Sequence, residues 1–83
     1  MFTNKTDDGR NNQCGVQIAK LRKEMKKSQK ELADMLQLAG LDIDKNAIQR
    51  IESGQRFVTD IEIRYFAKVL NVDYEVLLEK IDT

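Results

Sequence analysis

The eight residues Lys45 to Glu52, KNAIQRIE, carry the most directed chemistry in the chain. On a helical wheel stepped at about 100° per residue from Lys45, the side chains of Lys45, Gln49, Asn46 and Arg50 fall at roughly 0°, 40°, 100° and 140°. Ala47, Ile51 and Ile48 fall at roughly 200°, 240° and 300°, on the other side. The outward group holds two cations, two amides and no carboxylate. Amides and guanidinium groups can form paired hydrogen bonds to adenine and guanine edges, and Ala47 is small enough to let a backbone approach a thymine methyl. An ordinary solvated helix can present the same face, and composition alone leaves the two readings balanced. Burial of Ile48 and Ile51 supplies the anchor, at roughly 1.5 to 3 kcal/mol each.

The rest of the chain narrows the chemistry further. With 83 residues it makes one small domain. Its 41% apolar and 34% charged residues suit a globular fold rather than a disordered tail. No apolar run approaches the length of a membrane span, so a cytoplasmic protein without membrane contact is expected. There is no histidine and only one cysteine, Cys14. A disulfide within one chain is therefore impossible, the usual zinc ligand sets are missing, and so is the usual general base near neutral pH. We expect no enzyme, no metal and no cofactor. The net charge is zero, but residues 1–56 carry 11 Lys/Arg against 8 Asp/Glu and residues 57–83 carry 3 against 6. Charges more than about 10 Å apart are largely screened at moderate salt, so a polyanion would feel the basic side rather than the sum.

Five helices must position these groups. Val16, Ile18, Ala19, Leu21 and Met25 mark the first, and the polar stretch before it reads as a flexible arm, residues 1–14, leaving 15–83 as the domain. Ser28 with Glu31 has the spacing of a capping box that opens the second, whose stripe is Leu32, Ala33, Leu36 and Ala39. Gly40 suits the left-handed residue past its end, with Leu41 as the apolar contact of a Schellman cap. Asp44 caps the third. Thr59 and Glu62 repeat the box for the fourth, which carries Tyr65, Phe66, Val69 and Leu70 and ends at Asn71. Asp73 opens the fifth, where Tyr74, Leu77 and Ile81 serve either the core or a partner.

In this order and spacing, the segments SQKELADML, IDKNAIQRIESGQR and FAKVLNVDYEVLL resemble the lambda-repressor-like, or Xre-type, helix-turn-helix family of bacterial and phage DNA-binding regulators, over roughly Val16 to Leu78. The resemblance implies an all-α, compact five-helix domain in which the second and third helices form the helix-turn-helix and the third enters the major groove of double-stranded DNA. Lys45, Asn46 and Arg50, with Gln49 less regularly, match positions that reach base edges. Gln29 matches a position that grips phosphate and braces the recognition helix, and Ser53, Gly54, Gln55 and Arg56 match the loop on the far side of the groove. Of the basic run Lys20, Lys23, Lys26, Lys27 and Lys30, most read as solvated; Lys30 is assigned to phosphate, and Lys30 and Lys26 are the two to test first. Arg22 and Glu52 match a structural ion pair. The implied function is transcription regulation, as a homodimer on a two-fold operator; an antitoxin with a protein partner, or a protein-interaction module, is the alternative. The sequence departs from the family pattern in carrying about five extra residues between Leu36 and Ile48, most of which one more turn of helix two, about 3.6 residues, would absorb. Lys27 stands where an apolar staple residue is usual, with Met25 a possible substitute, and Asn71 replaces a glycine. Lys5 or Arg10 of the arm could reach DNA, although Asp7 and Asp8 oppose this.

Overall fold

The computed structural model describes residues 9–78, which form α1 (Cys14–Glu24), α2 (Gln29–Ala39), α3 (Lys45–Glu52), α4 (Asp60–Leu70) and α5 (Tyr74–Leu78). The described residues contain no strand. Ile81 and Lys5 lie outside them. α1 packs on α3, α4 and α5, while α2 packs on α3 and α4. Ile18, Leu32, Leu36, Ile48, Ile51, Phe66 and Leu77 fill the shared centre and are fully buried. Leu77 thus belongs to the core, whereas Tyr74 lies at the surface.

Local chemistry fixes the helix starts. The Ser28 hydroxyl accepts from the Glu31 N–H at 3.0 Å, and the Glu31 carboxylate accepts from the Ser28 N–H at 2.9 Å. Thr59 and Glu62 make the same reciprocal pair at 3.2 and 3.0 Å. The backbone N–H and then the hydroxyl of Ser28 hold the Glu31 carboxyl below its ordinary value of 4.5. Burial alone would raise Glu62, but the Arg56 guanidinium and the Thr59 N–H outweigh it and the net shift is downward. Both groups therefore contribute stability that is complete above the unfolded value and lost as pH falls through the lowered folded value. Glu62→Gln keeps an acceptor for the cap. Its melting temperature is expected to fall less than that of the wild type between about pH 5 and about pH 3, in thermal melts followed by circular dichroism.

The extra length between α2 and α3 is held rather than slack. α2 runs to Ala39, Gly40 takes a left-handed φ of 111°, and the Leu41 N–H donates to the Leu36 carbonyl at 2.9 Å, closing a Schellman turn. Gln37 Nε2 then donates to the Ile43 carbonyl at 2.7 Å, and the Ile43 side chain is buried in the core. Leu38 is left on the added turn, 91% exposed.

The first helix differs from its expectation. It begins at Cys14, and its buried residues are Cys14, Gly15, Gln17 and Ile18, with Val16 and Met25 at the surface. The reason is close contact with α3: a Cβ on Gly15 would collide with the Ile51 carbonyl oxygen. Only a residue without a side chain fits there, so the face toward α3 is chosen by size rather than by hydrophobicity. The segment expected to be a flexible arm also differs where it is described. Arg10, Asn11 and Asn12 bond to α3 and to the loop after it, and Asn12 Oδ1 accepts the Gly15 N–H at 2.9 Å. Polar residues can satisfy backbone groups inside a fold as well as water can, and polarity alone does not distinguish the two.

Candidate nucleic-acid interface

α3 has the two-sided character that its residue pattern requires. Asp44 Oδ1 accepts the Ala47 N–H at 2.8 Å and fixes the start of the helix. Ile48 and Ile51 are at 0% exposure and face the core. Lys45, Asn46, Gln49 and Arg50 are all exposed, and among the described residues none of these four side chains has a hydrogen-bond or ion-pair partner. Four donor-bearing side chains are therefore open toward a partner rather than satisfied within the fold.

The one carboxylate of α3 points away from this face. Glu52 Oε2 accepts from Arg22 Nε at 2.7 Å and Oε1 from Arg22 Nη2 at 3.0 Å, a two-pronged pair with side-chain exposures of 11% and 8%. Arg22 Nη1 also donates to the Lys27 carbonyl at 2.7 Å, and Gln29 Nε2 donates to Glu52 Oε1 at 3.1 Å. The hydrogen bond to Glu52 raises the Arg22 pKa further above its usual value. One carboxylate thus ties the end of α3 to α1 and to the first residue of α2. Gln29 is turned to that network through its side chain.

The remaining candidates divide. Ser53 and Gln55 are exposed in the loop after α3, and Ser53 Oγ donates to the Arg50 carbonyl at 3.2 Å. Gly54 is buried. Lys30 pairs with Asp34 at 3.0 Å on the exposed face of α2, an i,i+4 bridge of small net worth. Arg56 is held by Glu62, with Nη1 on Oε1 at 3.1 Å and Nη2 on Oε2 at 2.9 Å. Neither acidic partner was part of the sequence expectation.

A helix-turn-helix family model matches residues 18–77, spanning α1 to α5. The chain belongs to the lambda-repressor-like helix-turn-helix family. No curated protein and no solved structure matches the chain. As a helix-turn-helix protein it is a DNA-binding regulator, of a kind generally without enzymatic activity. Among its described residues, no helix is long and apolar enough to cross a membrane.

In this helix-turn-helix protein the residues that sequence reasoning missed lie before α1. Arg10, Asn11 and Asn12 contact the far end of α3 and its loop, and no residue type among them announces that role. The one available signal was Gly15, an isolated glycine in a helical pattern, which usually marks close packing. Cys14, beside it, is buried, and burial pushes its thiol up to about 11, so it carries no charge at neutral pH.

Proposed function

We propose that the protein is a sequence-specific transcription regulator of the repressor type that reads the DNA major groove with α3. What carries the reading is the face of Lys45, Asn46, Gln49 and Arg50, exposed and without internal partners among the described residues. Arg50 and Lys45 suit the acceptors of guanine, while Asn46 and Gln49 suit adenine. Gln29 and Lys30 open α2, and Ser53, Gly54, Gln55 and Arg56 lie in the loop after α3; in this reading they hold phosphates and set register. A single module with a few base contacts discriminates weakly on long DNA. A homodimer reading two half-sites about 34 Å apart along one side of the duplex resolves this.

Arg50→Ala tests the reading most directly. Fluorescence anisotropy on a duplex selected from random sequence by the wild type is expected to show a loss of about 1 to 3 kcal/mol, roughly 5- to 150-fold, with the salt slope little changed. Tight wild-type binding that Arg50→Ala leaves unaltered would remove Arg50 from the contact set. Binding by the wild type to no duplex at any salt would remove the whole reading.

A further inference from the structure

The segment before α1 is bonded to the far end of α3 and its loop. Arg10 Nη2 donates to the carbonyls of Ile51 at 3.3 Å and Glu52 at 2.9 Å. Asn12 Nδ2 donates to the carbonyls of Ile51 at 3.0 Å and Arg56 at 2.7 Å. Between them, the Asn11 N–H donates to the Gly54 carbonyl at 2.8 Å and its Nδ2 to the Gln55 carbonyl at 2.9 Å. The Arg10 side chain lies against Gly54, where an added Cβ would stand 2.8 Å from Arg10 Cγ. Between Ile51 and Arg56, every carbonyl except that of Ser53 therefore accepts from this segment.

This arrangement has an electrostatic consequence. The last carbonyls of a helix form its negative end, and a phosphate beside them is repelled. Arg10 places a positive charge there, while Asn11 and Asn12 turn the loop carbonyls inward. Ser53 and Gln55 of the same loop remain exposed. We propose that Arg10 and Asn11 are positioning residues for DNA binding, which hold the loop after α3 in the shape that meets the phosphate backbone. The proposal rests on the reading of α3 and its loop as the DNA-contacting surface.

Asn11 distinguishes a positioning role from a structural one. Its Oδ1 is buried with no hydrogen-bond partner among the described residues. An unpaired buried acceptor costs more than a single neutral hydrogen bond contributes. At this position stability alone would favour a side chain without that oxygen, and the donor on Gln55 is retained at its expense. Asn11→Ala therefore separates the two roles: a purely structural residue loses stability on truncation, whereas a positioning residue loses binding.

The test is anisotropy with a labelled mixed-sequence duplex over a salt series, on wild type, Asn11→Ala and Arg10→Gln, each first melted by circular dichroism. Both variants are expected to bind about tenfold more weakly at low salt; Arg10→Gln, which removes a cation, also makes the salt slope shallower by up to about 0.9, whereas Asn11→Ala, which removes none, leaves the slope little changed. Asn11→Ala is expected to melt at or above the wild-type temperature. Variants that are folded at the assay temperature and match the wild type in affinity and slope overturn the proposal, as does a lower melting temperature for Asn11→Ala with unchanged binding. If Arg10→Gln is unfolded, Asn11→Ala alone decides. A wild type that ignores the duplex at every salt concentration instead removes the DNA reading on which the proposal stands.

Discussion

Arg22→Ala is expected to destabilise the domain by about 3 kcal/mol, the lower end of what breaking a nearly buried ion pair costs. The loss leaves the Glu52 carboxylate facing α1 with only the Gln29 amide as a side-chain partner, in a site where it is 8% exposed. That remaining bond, and the small opening to water, are why the low end of the range applies. On a domain of this size such a loss lowers the melting temperature by on the order of 15 °C, measurable by circular dichroism. Replacing both partners by apolar residues, Arg22→Met with Glu52→Leu, is expected to recover much of the loss, because no charge is then stranded. A cost for Arg22→Ala below about 1 kcal/mol would mean the pair behaves as a solvent-exposed bridge.

Gly15→Ala is expected to cost about 3 kcal/mol or more, the upper end for overpacking. The added methyl would collide with the Ile51 carbonyl oxygen and stand 2.6 Å from Asn12 Oδ1 and 2.8 Å from Arg10 Nη2. The nearest of these atoms is backbone in the last turn of α3, so no rotamer change relieves it. α1 and α3 must separate, which also disturbs the bonds of Asn12 to Ile51 and Arg56. Urea unfolding at constant slope gives the measurement. An alanine variant as stable as the wild type would show that the two helices can part freely.

These two sites were legible in the sequence to different degrees, and the reason is physical. The Arg22 and Glu52 pair is 30 residues apart in the chain, and resemblance to a family indicated it where spacing could not. The caps at Ser28, Asp44 and Thr59 were readable because a cap acts within three or four residues. The buried side of α3 was readable because a helix repeats every 3.6 residues and two isoleucines sit on one stripe. Gly15, Ile43 and the bonds of Arg10 to Asn12 were not, because each depends on what another segment brings opposite it. Val16 shows the cost of judging by residue type: it is apolar and lies at the surface, while Gln17 beside it is buried.

Lys45, Asn46, Gln49 and Arg50 lean on nothing within the described fold, so exchanging them disturbs little of what keeps the chain folded. Surface substitutions of this kind usually change stability by no more than about 0.5 kcal/mol. Under the proposed reading of α3, target preference in this chain is free to drift: descendants can acquire new binding sequences by altering four side chains while inheriting an unchanged scaffold.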